Sequence, residues 1–526
     1  MPPRLPLPLA PALALGGLYL LQGFPHHLFH EPPLPLAGLA LGLVGLLGLS
    51  RWGVPVAAWL WWGWGLLTAL WSLAPGHTLV ASLWEVWALA ALGAGRWRAG
   101  VLVLLGLLLL EGVYTALALW QAGLVSYVSG SHHYLLGALA LGALPLLGAH
   151  AAREGGYRVA AFLLAALALY AALISGARAV YLPLLILLPL ALLRLAQEGG
   201  WARALGLALG LAGGVALLEA FVPGNAILNA LAFKATLTQG EALGGEAKAG
   251  DTPSIGNVEA RLLMWRLALR MAWDHPLGTG NGSYSQVFEA YMDYPGLSGV
   301  WSRSPHNYLL ETLATGGWVR TLLLLLLLWP TLPALRGKDW PWALSVLGLW
   351  TPMLFDVSGY YPGYLALAFL PLGALAPAPA ARPVGLLGTL AAAALTLFWY
   401  WPCQGPACAA RHLYFPAHTA KAVEAAAPAQ RAQLLREAER HYPLSPWPLT
   451  LALGHAQGQE ARLDLARKLA ERFPYARESF YLLWAQAALE AGHLEEAQRA
   501  LELGLRHFPG SPSLMALRAS LPALGH

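Results

Sequence analysis

Two arginines and a histidine that interrupt apolar stretches are the residues of this sequence best suited to chemistry. They are Arg178 in SGARAVYLP, Arg261 in NVEARLLMWRLALRMAWD and His306 in SRSPHNYLLETLATGG. A guanidinium group can hold phosphate through a forked pair of hydrogen bonds. A neutral imidazole can accept a proton from a hydroxyl nucleophile or donate a hydrogen bond to a phosphate. The three residues therefore predict a site that binds phosphate and activates a hydroxyl group.

Other polar residues lie close to these three in the sequence or on the same predicted side of a membrane. Ionisable groups in or beside membrane-spanning helices are costly and are functional candidates by default. A single structural Arg–Glu pair would account for two of them, whereas a whole set on one side predicts a polar cavity open to that side. The candidate substrate-binding residues are Arg266, Arg270, Arg303, Asn307 and Tyr308, and the candidate supporting carboxylates are Glu311, Asp356 and Glu85.

The principal candidates also have structural alternatives. Arg178 could extend to lipid headgroups, and the helix predicted over 258–273 could lie at the interface and bind anionic lipid. A lone histidine at a membrane interface, as His306 is predicted to be, is usually an anchor. The GTGNGS stretch after the arginine-bearing helix has no strand before it, which argues against a dinucleotide-binding turn.

The composition identifies the elements that must position these residues as membrane helices. Of 526 residues, 57% are hydrophobic and only 11% are charged, and the mean hydropathy is +0.54. Charged residues usually make up about a quarter of a soluble domain. The sequence therefore predicts an all-α, polytopic membrane bundle. With two cysteines, a disulfide framework is excluded as the main source of stability.

Hydropathy predicts about twelve or thirteen spans. A hydrocarbon core about 30 Å thick needs roughly 20 apolar residues in a helix. A polar segment at 223–304 separates the ninth span from the tenth. The candidate spans lie near 6–23, 34–50, 54–73, 78–95, 99–121, 133–150, 157–175, 179–196, 202–222, 306–333, 340–358, 361–378 and 384–401.

The basic residues of the short loops predict the orientation of these spans, because such residues concentrate on the cytoplasmic side. With a cytoplasmic N-terminus, Arg178 is the one basic residue in the short outer loops. The large 223–304 loop and the C-terminal segment are then extracytoplasmic. The net charge of +5 is thereby explained by topology rather than by affinity for nucleic acid. The basic residues of the inner loops are Arg4, Arg51, Arg96, Arg98, Arg153, Arg158, Arg194, Arg203, Arg336, Lys338 and Arg382.

The sequence divides into a membrane domain at 1–402, a linker at 403–416 and a soluble helical domain at 417–526, where charged residues are concentrated. Cys403 and Cys408, in WPCQGPAC, are predicted to lie outside the cytoplasm. A disulfide between them is plausible if the backbone turns tightly, and two unpaired cysteines are the alternative.

The C-terminal domain has three segments with similar ends, HYPLSP, RFPYAR and HFPGSP. In YLLWAQAALEAGHLEEAQRALELGLRHFP, Gly492 is predicted to mark a turn, Ala497 a close contact and Pro509 the end of the second helix. This pattern resembles tetratricopeptide repeats, which stack helix pairs into an α-solenoid. Such a domain could bind an extended protein partner or dock onto the membrane domain; an array that only stabilises the protein is the alternative.

The order SGARAVYL, RLLMWRLALRMAWDHPLGTGNGSY and HNYLLETLATGGWVRTLLLL resembles the O-antigen ligase and polymerase superfamily of bacterial membrane glycosyltransferases. The resemblance covers about residues 1–400 and is most specific over 175–320. It implies a GT-C-like bundle in the bacterial cytoplasmic membrane. It assigns Arg178 and Arg261 to a diphosphate, and His306 to help the acceptor or the leaving group.

The resemblance implies transfer of a glycan from an undecaprenyl-diphosphate carrier to an acceptor hydroxyl on the outer face of the membrane. The reaction is expected to need no metal or other cofactor and to invert the anomeric carbon. The acceptor is a lipid, a protein or another glycan, so polymerase action and protein O-oligosaccharyl transfer stay open. Fixed cations suit this chemistry because the leaving diphosphate develops negative charge.

Three other classes of protein remain as alternatives. The repeats and the order of the arginine and histidine motifs argue against a peptidoglycan glycosyltransferase of the shape, elongation, division and sporulation type. A transporter of lipid-linked oligosaccharide should have polar groups in both halves of the membrane. A repeat-domain scaffold anchored by a helix bundle would not need Arg178.

Overall fold

The computed structural model describes residues 9–22, 41–46, 48, 53–121, 131–153, 156–222, 225–230, 257–293, 304–356, 359, 362–376 and 416–521. The regular elements found in these ranges are helices, and no strand occurs among them. This confirms the prediction of an all-α fold. The predicted span at 384–401, the linker, both cysteines, Arg303, Arg4, Arg51 and Arg382 lie outside the described residues.

The described residues of the first part of the membrane domain are mostly in apolar helices. A 3₁₀ turn, Thr68–Leu70, follows the second labelled helix. The helices are α1 (Leu9–Gln22), α2 (Val56–Leu67), α3 (Pro75–Trp84), α4 (Val86–Ala94), α5 (Arg98–Gln121), α6 (Ser131–Ala152), α7 (Arg158–Ile174), α8 (Arg178–Gly199) and α9 (Trp201–Phe221).

In the described part of the predicted large loop, a helical stretch at 226–230 precedes two further helices, and the chain then returns to apolar helices before the C-terminal domain. The loop helices are α10 (Asn257–Asp274) and α11 (Tyr284–Tyr291), and the apolar ones are α12 (Tyr308–Leu328), α13 (Thr331–Ala334), α14 (Trp340–Met353) and α15 (Pro362–Leu375). The C-terminal helices are α16 (Pro416–Ala425), α17 (Pro428–His441), α18 (Trp447–Gly454), α19 (Gln459–Arg472), α20 (Glu478–Glu490), α21 (Leu494–His507) and α22 (Pro512–Ser520).

Five helical segments among the described residues are long and apolar enough to cross a membrane: Pro75–Ala94, Arg98–Ala118, Arg178–Gly199, Trp201–Phe221 and Tyr308–Ala334. Four shorter apolar helices accompany them: Val56–Leu70, Leu136–Ala152, Arg158–Ile174 and Gly363–Leu375. These segments fall on predicted spans, which confirms that the chain has several apolar helices that could span a membrane. The total of twelve or thirteen stays a prediction, since the predicted span at 34–50 is described as helix only at 41–46 and at residue 48.

The centre of the membrane domain is built around α6, which packs mainly against α7 and α14, while α4 packs against α15. Glycine residues allow the α4 and α15 segments to approach each other closely. A Cβ atom on Gly95 would lie 2.0 Å from the carbonyl oxygen of Leu370, and one on Gly373 would lie 2.0 Å from that of Leu92. The backbones of the two segments therefore touch, as is common for helices packed through small residues in membranes.

Two predicted spans are interrupted in the structure. The span predicted at 78–95 is divided at Glu85, which separates α3 from α4. The span predicted at 306–333 is kinked inside α12 at Gly317, whose φ of 74° and ψ of −177° are not helical. Both interruptions bring polar groups into the interior of the membrane domain, as the site geometry shows.

Four of the predicted inner-loop arginines, Arg98, Arg153, Arg194 and Arg336, lie at one end of the bundle, here called the arginine end. Arg98 pairs with Asp339 at 2.7 Å, and Arg153 lies 3.6 Å from Glu198. The guanidinium of Arg194 donates to the Arg336 carbonyl at 2.9 Å. These contacts join loops that the predicted topology places on one side of the membrane.

The C-terminal helices form antiparallel pairs with the predicted punctuation. Helices α20 and α21 are joined at Gly492, which has a φ of 81°, and α21 ends at His507, before Pro509. Ala497 is fully buried between the helices. The helical hairpin is as the sequence predicts, whereas the assignment to tetratricopeptide repeats stays a prediction.

The C-terminal helices share one hydrophobic core with the loop helices. This core joins Met264 and Met271 of α10 and Phe288 of α11 to Leu449 and Trp484 of the C-terminal helices. Buried apolar side chains on both sides make the contact a continuous packed interface. The C-terminal domain is therefore docked against the extramembrane part of the membrane domain.

Candidate functional site

The glycine-rich turn after α10 is held against the kink in α12. The backbone N–H of Thr279 donates to the Ala314 carbonyl at 3.1 Å, and that of Gly280 donates to the Thr315 carbonyl at 2.9 Å. At Gly278, a Cβ atom would lie 2.3 Å from the Thr315 carbonyl oxygen. The glycines of GTGNGS therefore allow backbone-to-backbone docking, and the turn carries Asn281 into the membrane domain.

Asn281 joins a buried cluster with Glu85 and Arg320. Its amide donates to Glu85 Oε2 at 2.9 Å and to the Ser82 hydroxyl at 3.1 Å. The Arg320 guanidinium donates to the Asn281 side-chain oxygen and forms an ion pair with Glu85. The side chains of Arg320 and Glu85 are only 1% and 8% exposed. A buried pair of this kind needs such additional hydrogen bonds to offset its desolvation.

These residues border an open polar cavity between α3, the glycine turn and α12, where the empty space, including the open mouth, is about 640 Å³. Its walls include His77, Glu85, Asn281, Tyr308, Glu311 and Arg320. Oε2 of Glu311 and Nε of Arg320 have no hydrogen-bond partner among the described residues. The polar cavity, named by these lining residues, therefore keeps at least one acceptor and one donor free for a ligand or water.

His306, Asp356 and Arg261 meet beside this cavity. His306 Nδ1 lies 3.7 Å from Asp356 Oδ1, and the Asp356 side chain is only 3% exposed. The Arg261 guanidinium donates to the carbonyl of Phe355, the residue before Asp356. Three residues separated widely in sequence thus form one cluster, which together with the polar cavity is called the cavity end of the bundle.

The local backbone fixes the position of His306. Its φ of 56° lies in the left-handed region that a non-glycine residue rarely adopts. The Ser304 hydroxyl accepts a hydrogen bond from the His306 N–H at 3.0 Å, and the Asn307 side chain accepts one from the Leu310 N–H at 3.0 Å. Asn307 therefore caps α12. Strained residues of this kind are concentrated at functional sites.

Two other predicted cations lie apart from this cluster. Arg266 forms an ion pair with Asp293, and Arg270 lies 3.8 Å from the same carboxylate. Both arginine side chains are more than half exposed. This arrangement is typical of surface residues of α10 rather than of a buried substrate site. The role of Arg266 and Arg270 in substrate binding stays a prediction.

Arg178 begins α8 and is exposed. At the arginine end, α8 meets the start of α14 through a 2.6 Å hydrogen bond from the Trp340 indole to Glu198. Arg194 and Trp340 both lie at the arginine end. Arg178 is sixteen residues before Arg194, which is about 24 Å along the helix, and Asp356 is sixteen residues after Trp340. Because α8 and α14 pack against each other in opposite directions, Arg178 and Asp356 lie at the same end of the bundle.

The C-terminal helices reach the wall of the polar cavity. The rings of Tyr442 and His77 contact edge to face, with centroids 5.9 Å apart. Arg477 forms a 2.9 Å ion pair with Glu289 of α11, whose side chain is 7% exposed. Burial raises the pKa of Glu289, and the Arg477 guanidinium offsets part of this rise. The repeat-like domain therefore supports the loop helices through a buried carboxylate.

An apolar groove runs along the membrane domain between α12, α13 and α14. The groove is open on one side and has about 1110 Å³ of empty space with that side included, and its walls are formed mostly by leucine and tryptophan side chains. Tyr308 borders both this groove and the polar cavity. The lining includes Leu309, Leu325, Leu328, Leu332, Trp350 and Leu354. The groove thus runs from the middle of the bundle to the cavity end.

Sequence reasoning missed three residues of this site, namely Arg320, Asn281 and His77. An arginine inside an apolar span was itself a signal, because such residues rarely face lipid. For Asn281 and His77 only the fold shows the connection. Among the described residues, no group of three or more histidine, cysteine, aspartate or glutamate side chains could hold a metal ion.

Residues 160–325 match the family model described as O-antigen ligase. The matched stretch runs from α7 to α12 and contains Arg178, Arg261, His306 and Arg320. The match confirms the resemblance to the O-antigen ligase and polymerase superfamily and supports a glycosyltransferase-like reaction of that general type. No curated protein and no solved structure matches the chain.

Proposed function

We propose that this protein is a membrane glycosyltransferase with a lipid-linked donor. The proposal starts from the match of residues 160–325 to the O-antigen ligase family model. The protein moves a glycan from undecaprenyl diphosphate to an acceptor hydroxyl at the outer face of the bacterial cytoplasmic membrane. The observation that carries the proposal is the meeting of Arg261, His306 and Asp356 at the end of an apolar groove.

The arginines supply the charge that a diphosphate needs. Arg261 is half-buried, and its guanidinium donates to a backbone carbonyl, so this contact does not neutralise its charge. Arg178 lies at the same end of the bundle. Fixed cations directed at the leaving group lower the barrier because they need no reorganisation when charge develops. We therefore assign both arginines to the diphosphate.

The apolar groove supports a donor with a long hydrocarbon chain. Its lining is almost entirely apolar and it ends at Tyr308 and Leu354, each two residues from a member of the cluster, His306 or Asp356. An isoprenoid chain lying in this groove would bring its diphosphate to the cavity end. The groove therefore accommodates the lipid while the arginines hold the headgroup.

The proposed reaction is a single displacement at the anomeric carbon. The acceptor oxygen forms a bond to this carbon, and the bond from the carbon to the diphosphate oxygen breaks, with its electron pair leaving on the diphosphate. The acceptor proton passes to His306 Nε2 or to a nearby carboxylate. Asp356, 3.7 Å from Nδ1, favours the imidazolium that forms. Direct displacement inverts the anomeric carbon.

The test is a transfer assay with the purified full-length chain in lipid nanodiscs. An undecaprenyl-diphosphate oligosaccharide is supplied with lipid, protein and glycan acceptors in separate reactions, and the product is analysed for the new glycosidic bond. The expected result is transfer to one acceptor class without added nucleotide sugar. The successful class distinguishes ligase, protein O-oligosaccharyltransferase and polymerase action.

The same preparation separates transfer from transport. In vesicles, a transporter would move the lipid-linked oligosaccharide across the bilayer and form no covalent product. Translocation without transfer, under conditions in which the protein is folded and donor is bound, would overturn the proposal.

A further inference from the structure

The polar cavity contains buried hydrogen-bonding atoms that its walls do not satisfy. They include the acceptor Oε2 of Glu311, a residue 6% exposed, and the donor Nε of Arg320, a residue 1% exposed. A buried polar atom without a partner lowers the stability of the folded protein. A ligand that carries both hydrogen-bond donors and acceptors would satisfy the two atoms together.

The charges of the cavity select against an anionic ligand. Arg320 is paired with Glu85, so these two charges largely cancel. Glu311 forms no ion pair among the described residues, so the wall offers no unpaired guanidinium or ammonium group to an anion. Because a diphosphate needs such cations, it is better placed at Arg261, which does not line the cavity. The cavity itself suits a neutral, hydroxyl-rich group.

The position of the cavity fits the part of the donor next to the diphosphate. Tyr308 borders the cavity and lies two residues from His306. Trp84 adds an aromatic face to the wall, and Thr312 and Thr315 add small polar side chains.

We propose that the polar cavity binds the sugar that is bonded directly to the donor diphosphate. Glu311 Oε2 accepts hydrogen bonds from its hydroxyl groups, and Arg320 Nε donates one. This inference rests on the proposed glycosyltransferase function and deepens it, because it separates a neutral sugar subsite inside the cavity from the cationic diphosphate site at Arg261.

The test fills the cavity without changing its charge. Thr315 is buried, lines the cavity and donates from its hydroxyl to the Glu311 carbonyl at 2.7 Å. Thr321 is a matched control on the same helix, because it is also buried and donates to the Gly317 carbonyl at 3.0 Å but lies outside the cavity lining. The variants are Thr315→Leu and Thr321→Leu.

Binding is measured in nanodiscs with two probes, undecaprenyl diphosphate bearing an oligosaccharide and undecaprenyl diphosphate without sugar. Thr315→Leu is expected to weaken binding of the sugar-bearing probe by about tenfold or more. The sugar-free probe should bind within about twofold of the wild-type affinity. The control variant should change neither affinity. Glu311→Gln, which keeps the volume of the side chain, should also weaken binding of the sugar-bearing probe but not of the sugar-free probe.

Three outcomes would overturn the sugar subsite. In the first, the cavity variants lose the same affinity for both probes. In the second, neither cavity variant loses affinity for either probe. In the third, binding is unchanged while turnover is slower and its pH profile is shifted. The last would assign the cavity to proton movement through water. If the wild-type protein bound neither probe, the proposed function would itself be wrong, so the two failures are distinguishable.

Discussion

The two ends of the bundle hold their charged residues in different ways. At the arginine end, Arg98 and Arg153 pair with carboxylates while their side chains remain 44% and 49% exposed. At the cavity end, Arg320 is paired almost entirely out of solvent, and Asp356 is buried beside His306. Water competes for the first set of contacts and is excluded from the second.

We propose that this difference separates charges that orient a membrane protein from charges that do chemistry. An exposed ion pair contributes about 0–1 kcal/mol, so substitutions at the arginine end should change little. Buried polar groups are costly unless they are paired or used. The cavity end combines such groups with a strained histidine and free hydrogen-bonding atoms, which is expected for an active site.

The largest effect is expected at His306. His306→Ala should reduce glycan transfer by about 10²- to 10⁴-fold, because the acceptor loses the group that takes its proton. His150→Ala is the matched control at the other end of the bundle, where this ring contacts the Leu146 carbonyl at 2.8 Å. Equal activity of the two variants in the transfer assay would remove the distinction between the ends.

The next effect is expected at Arg261. Arg261→Ala should lower transfer by about 10²- to 10³-fold, because one fixed cation facing the leaving diphosphate is lost. Arg98→Ala serves as the control, since it removes an arginine that pairs at the surface. The measurement is kcat and KM for the lipid-linked donor. An unchanged kcat/KM for Arg261→Ala would show that this arginine is structural.

The buried pair should dominate stability rather than chemistry. Glu85→Ala should lower the free energy of unfolding by about 3–5 kcal/mol, because it leaves the Arg320 charge buried without its partner. Asp339→Ala removes the partner of Arg98 at the arginine end and should cost about 0–1 kcal/mol. Chemical unfolding in detergent micelles measures both. A similar decrease in the free energy of unfolding for both variants would contradict the claim that only the buried pair matters for stability.

A smaller, pH-dependent effect is expected where the C-terminal helices dock. The folded state raises the pKa of Glu289 above the ordinary value of 4.5, so it binds this proton more tightly than the unfolded chain does. The contribution of Glu289 to stability is therefore greatest below the unfolded pKa and falls as pH rises through the raised value. The Arg477 guanidinium lowers this pKa, so Arg477→Ala should raise it further. The loss of stability with rising pH should then be larger.

Thermal unfolding at about pH 5 and about pH 8 tests this sign. Arg477→Ala should lower the Tm more at the higher pH, by about 2–4 °C. The double variant Glu289→Gln with Arg477→Ala should lose the extra dependence on pH. A larger loss at the lower pH would contradict the assignment to Glu289.

Hydropathy and residue spacing predict much of the local structure, because these features are written in contiguous residues. The helix over 258–273, its end before Pro276, and the hairpin around Gly492 all follow from short-range patterns and agree with the structure. Loop arginines such as Arg98 and Arg194 predict a common side, and the structure places them at one end.

The organisation of the site depends on contacts that no short pattern contains. Arg320 and Glu85 are far apart in the sequence, and they meet because α12 is kinked and a glycine turn docks onto the kink. Arg320 also precedes a leucine-rich run, where it resembles a flanking charge. The docking of Tyr442 on His77 likewise joins two domains whose patterns are independent.

The most direct measurement of the central claim is the position of a bound lipid diphosphate. A cryo-electron microscopy structure of the full chain in nanodiscs with undecaprenyl diphosphate would locate the headgroup. We expect its phosphates within hydrogen-bond distance of Arg261 and close to His306, with the isoprenoid chain in the groove beside Tyr308. A headgroup bound instead among Arg98, Arg153 and Arg194, with the cavity end empty, would contradict the account.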